Sequence, residues 1–342
     1  MCGPGCFSAS GAGPIGPAPA ARGRELGKLW RNTPSQKAGV KTVSARRTPA
    51  FTKNPWITRD GRWPALARQA VSRIPLGLRR QVFYFYRHHR FFSRTPRTFT
   101  EKIQWRLLHD RRDLFAVGGD KIAMKEYAAQ LGPDLEIPRT LWQGEDLHAV
   151  QDDDWGCAWV LKPVTGSGYA LFGAGSLRDS GIDLNEVERW RADDAHRVYG
   201  EWHYSRSRPG YLIEQRIPTR DGASPDDYRF FVFDGRVEVV QIDTPRVAKV
   251  QRRFYTRDWT PLDVRQAGAD LAAPVPAPPT LDRMVELAER IGAEWDFVRV
   301  DFYDADGTIW FGELTPCPTG GLAPYDPPEF DRELGRLWRL PG

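Results

Sequence analysis

Two acids inside an otherwise apolar hairpin, and two lysines beside small-residue turns, are the groups in this sequence best suited to chemistry. Asp301 and Glu313 lie in WDFVRVDFYDADGTIWFGELTPCPTGG, residues 295–321, among Phe, Val, Ile and Trp. An unpaired carboxylate there would be costly. Two acids on neighbouring strands supply the oxygen ligands that a hard divalent cation takes. Asp306-Gly307 marks the turn between the strands, since both positions tolerate positive φ. Period-2 alternation puts Glu313 and Thr315 on one face. Asp301 joins them only if the pairing sum is even, which predicts an odd-length loop with a bulge after Gly307. A plain two-residue turn would send the acids to opposite faces. The competing reading is a hairpin with two salt-bridged edge acids.

Lys162 ends a short apolar strand, WVLKP (159–163), and VTGSGY (164–169) follows it. Glycines in such a loop let backbone N–H groups approach phosphate oxygens, and the ammonium supplies charge. The lysine precedes the loop and no Lys-Ser/Thr follows, so this is not the Walker pattern. Taken alone, it also fits an ordinary flexible Gly-Ser loop. Lys121 follows Asp120 at the start of a helix with Met124, Tyr127, Ala128 and Leu131 at helical spacing, stopped by Gly132-Pro133. Glu214 sits in the strand YLIEQRIP, residues 211–218.

These groups need a scaffold, and 342 residues can bury a real core as one large or two modest domains. With 27% charged and 41% hydrophobic residues the composition is soluble and globular. Residues 1–55 hold nine Lys/Arg and one Glu, which leaves −3 of the chain's +5 for the rest. The folded part therefore has no basic stripe of the kind nucleic acid needs. Cys2, Cys6, Cys157 and Cys317 lack metal-ligand spacing beyond one C-x3-C, and read as reduced thiols of a cytoplasmic protein. No apolar run approaches the roughly 18–20 residues that span a bilayer.

Residues 1–55, rich in Gly, Ala, Pro and Arg, predict a disordered low-complexity tail. They also fit a transit peptide or an over-extended start. Residues 56–95 form a basic-aromatic helical lead-in divided at Pro75. Within it, Arg87-His88-His89-Arg90 could touch an anionic surface or substrate, or be a solvated helix end. Thr98 and Glu101 make a capping box for a helix to about His109. Further helices are expected from Asp183, from Thr280 and from Pro328 to Leu340. Strands are expected at 227–234, 236–243 and 251–255, with an Ala/Pro linker over 266–280. Without strict βαβ alternation the class is α+β with mainly antiparallel sheets and flanking helices.

The phrases TFTEKIQW (98–105), DKIAMKEY (120–127), WVLKP…GSG (159–168), LIEQ (212–215), DYRFFVFDG (227–235) and FVRVDFY…GELT (297–315) occur in an order that resembles the TupA-like branch of the ATP-grasp superfamily. The resemblance covers about residues 95–340. It implies an ATP-grasp fold over 96–342, with a lid-bearing subdomain at about 150–215 and a metal-binding subdomain at about 216–342. The nucleotide would lie between them. On this resemblance Lys121 and Lys162 contact phosphates, and Thr165, Gly166, Ser167 and Gly168 close over them. Glu214, Gln215, Arg216 and Ile217 line the adenine pocket. Asp301, Glu313 and Thr315 hold Mg2+, and Arg299 offsets charge on the transferred phosphoryl group. Arg229, Gly320 and Gly321 are candidate substrate contacts.

Two positions depart from the family pattern: Thr315 stands where Asn is common, and Lys125 where Arg is frequent. The implied activity is ATP-dependent ligation of a small-molecule or glycan-linked carboxylate to an amine through an acyl phosphate, in the synthesis of a cell-surface polysaccharide or related metabolite. A metal-dependent glycosyltransferase is the rival, and Asp152-Asp153-Asp154 would be its metal motif. That run precedes Trp155-Gly156 instead of closing a strand, as a solvated acidic turn does. A small-molecule kinase or a non-catalytic nucleotide binder would use the same phosphate-binding groups. No nucleic-acid partner or stable membrane insertion is expected.

Overall fold

A computed structural model describes residues 65–341 except 167, 193–194, 221–223 and 245–249. The tail at 1–55, the first part of the lead-in and Ser167 lie outside the described residues.

Pro75 divides α1 (Ala65–Ser72) from α2 (Leu76–His88), as a ring without an N–H must. The expected capping box opens α3 (Phe99–His109): Thr98 Oγ1 accepts the Glu101 amide at 3.3 Å, and Glu101 Oε2 accepts the Thr98 amide at 3.2 Å. After a short α4 (Asp113–Val117), Asp120 caps α5 (Lys121–Leu131), accepting the amides of Ile122 and Ala123 at 2.9 Å each.

A small antiparallel sheet comprises β1 (Thr140–Gly144), β2 (Trp159–Pro163), β3 (Leu171–Gly173) and β4 (Tyr211–Gln215) in the order β1-β4-β2-β3. Its core is Trp159, Leu161, Tyr211 and Ile213 against Leu184 and Val187 of α6 (Leu184–Glu188). Sequence patterning does not reveal β1, because TLWQG is short, sits at an edge and lacks clean alternation. Another short helix, α7 (Ala195–Tyr199), precedes a 3-10 turn at Trp202–Arg206.

The large sheet carries β5 (Asp226–Phe233), β6 (Arg236–Thr244), β7 (Gln251–Thr256), β8 (Pro261–Leu262), β10 (Asp270–Leu271), β11 (Phe297–Ala305) and β12 (Thr308–Thr315). Its order is β10-β7-β6-β5-β11-β12, with β8 beside β7, and β10–β7 is the parallel pair. The stretch that reads as a linker is therefore partly paired: it holds β10, and β9 (Arg265–Gln266) bonds to β13 (Tyr325–Asp326). Helix α8 (Leu281–Ile291) buries Met284, Val285, Ala288 and Ile291 in the core with Val298 and Val300. On the opposite face Phe297 meets Phe99 of α3 at 4.8 Å and Trp338 at 4.9 Å between ring centroids. Helix α9 (Pro328–Leu337) stops short of the expected Leu340.

The Arg87–Arg90 cluster is solvated at His89 and Arg90 only. Arg87 Nε donates to the Leu322 carbonyl and His88 Nε2 to the Gly321 carbonyl, both at 3.0 Å. Arg90 Nη2 donates to the Tyr84 hydroxyl at 2.9 Å, and its Nη1 pairs with Glu101. Burial drives the His88 imidazole down to about 4, so it docks α2 as a neutral ring.

Candidate active site

The acid hairpin is built on a two-residue turn. Ala305 pairs with Thr308, and Asp306 (φ 56°) and Gly307 (φ 91°) both take positive φ. That corrects the expectation of an odd-length loop with its bulge after Gly307. The extra residue is Gly312: Phe302 pairs with Phe311, but Asp301 pairs with Glu313. One unpaired residue reverses the alternation, so the acids reach the same face from adjacent strands. A Cβ at Gly312 would come within 2.8 Å of the Asp301 carbonyl oxygen, which accounts for a glycine at the bulge.

On that face Arg299 gathers the candidate ligands. Its Nε and Nη2 bind Asp301 Oδ1 and Oδ2 at 2.7 and 2.5 Å, and Nη2 also reaches Thr315 Oγ1 at 3.0 Å and Glu313 Oε1 at 3.2 Å. Thr315 Oγ1 in turn donates to Glu313 Oε1 at 3.0 Å. Arg229, on β5 opposite Asp301, is enclosed by Asp227 (2.5 Å), Asp243 (2.8 Å) and Asp301 (3.7 Å). Arg252 Nε adds a 2.6 Å bond to Asp243. Four carboxylates (Asp227, Asp243, Asp301, Glu313) thus face three guanidinium groups (Arg229, Arg252, Arg299). Glu313, with 43% of its side chain exposed, is the open end of the set.

Burial pushes the Asp301 carboxyl up to about 7, against the pull of Arg299 and Arg229. Desolvation acts on Glu313 too, but Arg299, Arg229 and Lys121 outweigh it and hold that carboxyl below its ordinary range. Three oxygens converging on one cationic nitrogen fit a divalent cation by donor chemistry, with two carboxylates and a hydroxyl as its protein ligands. No cluster of three or more His, Cys, Asp or Glu with metal-binding geometry occurs among the described residues, so the rest of a coordination shell would come from water or substrate oxygens.

The small sheet brings the lysines. Lys162 Nζ lies 2.6 Å from Glu214 Oε1, and Lys125 Nζ lies 3.1 Å from Glu214 Oε2 and 3.0 Å from Thr140 Oγ1. Despite its burial, the two ammonium groups hold Glu214 low. The Glu214 side chain therefore pins the lysines, and Gln215 and Arg216 give their amides to Arg139 and Ala158 carbonyls at 2.8 and 2.9 Å. Lys121 Nζ donates to the Gly166 carbonyl at 2.5 Å, which ties the start of α5 to the Gly-rich loop. Burial lowers Lys121 to about 8; Glu313 and Glu214 pull it up and Lys162 pushes it down, so the lysines and the acid hairpin share one field. Helix α5 spans the two sheets. Ile122 packs on Val164 and Leu212, while Met124 and Ala128 belong to the large core.

Residues 318–321 end the face. The Gly320 amide is taken by the Cys317 carbonyl at 2.9 Å, and the Gly320 carbonyl accepts from Gln104 Nε2 at 3.1 Å and from Arg80. Gly320 and Gly321 therefore present acceptors to α2 and α3, and the Gly320 amide is already engaged. Three more groups escaped sequence reasoning. Arg80 is fully buried and also binds Gln104 Oε1 at 2.8 Å. Glu201, pushed up to about 7 by burial, lies 3.5 Å from where a Gly320 Cβ would sit. Tyr204 is raised well above its ordinary value by burial and then by Glu201 and Glu313. The one signal along the chain is an acid flanked by aromatics in YGEWHY (199–204).

The model of a TupA-like ATP-grasp family matches residues 101–339. The chain belongs to the TupA-like ATP-grasp family. Its two main sheets, antiparallel but for the β10–β7 pair, with flanking helices, are the α+β ATP-grasp fold. No curated protein matches this TupA-like chain. Among solved structures it is similar to an L-amino acid ligase from Bacillus licheniformis, at 14% identity and TM-score 0.42, over 65% of this chain and 50% of that one. A D-alanine–D-alanine ligase from Bacillus anthracis complexed with ATP matches at 16% identity and TM-score 0.35, over 58% and 56%. The ATP-grasp ligase PsnB, complexed with minimal precursor, Mg and ADP, matches at 13% identity and TM-score 0.32, over 60% and 52%. The TupA-like chain thus spans about half the length of each.

Proposed function

We propose that this protein is an ATP-dependent carboxylate–amine ligase that forms an amide through an acyl phosphate. The observation that carries the reading is the meeting of three oxygens, from Asp301, Glu313 and Thr315, at one Arg299 nitrogen, within the electrostatic field of Lys121. Asp301, Glu313 and Thr315 would hold Mg2+, which when bound neutralises β- and γ-phosphate charge. Lys121 and Lys162 would bind the phosphates, and residues 165–168 would close over them and exclude water. Residues 214–217 would border the adenine, partly through backbone groups.

A carboxylate oxygen of the substrate attacks the γ-phosphorus and ADP departs. The amine then attacks the acyl carbon and inorganic phosphate leaves. Such chemistry asks the protein for positioning and charge neutralisation, which the Arg299 and lysine groups supply without a nucleophilic side chain. The site is assembled by a lid-bearing region at about 150–215 and a metal-binding region at about 216–342, with α5 shared between them. No described helix is long and apolar enough to cross a membrane, in keeping with a cytoplasmic enzyme of polysaccharide or related metabolite synthesis.

The deciding experiment supplies purified protein with ATP, Mg2+ and a pooled panel of carboxylic acids and amines. Ligation releases ADP and phosphate together, dependent on both substrates. ADP without phosphate would instead identify a kinase, and turnover of a sugar nucleotide with ATP ignored would identify a glycosyltransferase.

A further inference from the structure

Helix α2 is built inside out. Its inward face carries Arg79, Arg80 and Tyr84, all buried, while Leu78, Val82, Phe85 and Tyr86, spaced i, i+4, i+7 and i+8, stand 47–58% exposed. Phe91, 63% exposed, stacks on Phe85 with ring centroids 4.8 Å apart, and Ile74 lengthens the stripe. Six of the nine large apolar side chains exposed among the described residues fall in this one strip. Scattered apolar exposure is ordinary; a concentrated strip marks a contact surface.

The segment that carries the strip is basic, although Arg79 and Arg80 face inward. From Gly61 to Thr100 the sequence holds nine arginines and no Asp or Glu. Arg73, Arg94 and Arg97 are exposed and form no side-chain ion pair among the described residues. We propose that this face docks the protein on an anionic lipid surface, with the Leu78–Phe91 strip in the headgroup–acyl boundary and the arginines on the headgroups. Charge decides against the other occupants. Residues 1–64 carry eleven Lys/Arg against two acids, the same sign as the strip's segment. A second copy of the chain would set one basic, acid-free segment against another. An anionic membrane complements both this segment and the one before it. Because the inner face of α2 holds Gly320 and Gly321 through Arg80 and His88, docking would bring the candidate substrate end within about a helix diameter, roughly 10 Å, of the lipid.

The test is co-sedimentation of the full chain with phosphatidylcholine vesicles with or without about 30 mol% phosphatidylglycerol. Binding is expected to the anionic vesicles only, to weaken with salt, and to fall at least about tenfold in Leu78→Ser/Phe85→Ser. Circular dichroism reports whether that variant folds. If it does not, Phe91→Ser with Arg94→Glu, both outside α2, must show the same loss. Failure of the native chain to bind anionic vesicles would overturn the proposal. So would undiminished binding by the folded variants, which would assign adsorption to the basic N-terminal segment. A dimer seen by light scattering that dissociates in the same variants, with vesicles ignored, would replace the lipid with a second copy.

Discussion

Asp301 and Glu313 are direct partners across the β11–β12 ribbon, and they share a face only because Gly312 is left out of the pairing. Gly312→Ala should press a methyl on the Asp301 carbonyl oxygen, costing about 1–3 kcal/mol as overpacking does and lowering ATP turnover more than a comparable surface change. Deleting Gly312 should leave Glu313 directly after Phe311 and still opposite Asp301, so the acids keep their shared face in an unbulged ladder and turnover should survive at a reduced level. A folded but inactive deletion variant would show that the bulge itself, and not the shared face alone, is needed for the chemistry.

Lys162→Ala should eliminate ATP turnover with little change in melting temperature, since Glu214 keeps its 3.1 Å partner Lys125. Asp301→Asn should also be inactive, but less stable, because Arg299 and Arg229 lose a buried counter-charge that they share. Substantial phosphate release by either variant would remove that residue from the site.

Glu313→Gln should raise the Mg2+ concentration needed for half-maximal activity steeply, as one charged ligand is lost from the open end of the acid set. Thr315→Asn should keep or improve activity, because an amide oxygen replaces a weaker hydroxyl ligand. A Mg2+ titration on each protein checks both; unchanged metal dependence in Glu313→Gln would exclude it as a ligand.

Lys121 gives ATP affinity a pH dependence with a definite sign. Burial lowers it to about 8, so above that pH the free protein loses the ammonium that phosphate needs. The ATP Kd, nearly flat below pH 8, should climb by up to about tenfold per pH unit above it, and Lys121→Met should bind weakly with a flatter profile. The unbound fold shows the opposite trend. A folded-state pKa below the ordinary 10.5 makes Lys121 contribute more stability as pH rises from about 8 towards 10.5. Calorimetric titrations across this range, together with thermal melts, separate the two effects.

Arg106 should be the costliest of the supporting residues to remove. Fully buried, it donates from Nη1 to the Phe297 and Pro316 carbonyls at 2.8 and 2.9 Å and from Nη2 to Asp296 at 2.6 Å, with its guanidinium 4.3 Å from the Trp338 ring. Those bonds clasp α3 to the start of β11 and the end of β12. Arg106→Ala should cost about 3–5 kcal/mol in denaturant melts, as breaking a buried pair does. A loss under about 1 kcal/mol would mean that the aromatic cluster alone holds this corner.

Much of the site could be read along the chain because its pieces are local. The Thr98–Glu101 box, the Asp120 cap before Lys121, the strand bearing Lys162 and the Asp306-Gly307 turn each depend on residues within one element. Short-range hydrogen bonding and period-2 or helical spacing fix such features before any tertiary contact forms. The Ala/Pro stretch at 266–280 misled because short edge pairings leave almost no alternation to read.

The amino-acid sequence by itself determined the α+β class, the order of the elements and which lysines, acids and arginines could do chemistry. Only the tertiary structure decided how they face one another: the bulge at Gly312, Glu214 as counter-ion to two lysines, the enclosure of Arg229, the Glu201–Tyr204 wall and the inverted α2. The physical reason is that bulge position, ion-pair choice and helix facing are settled by backbone fit and desolvation between residues tens to hundreds of positions apart. No local pattern encodes those distances.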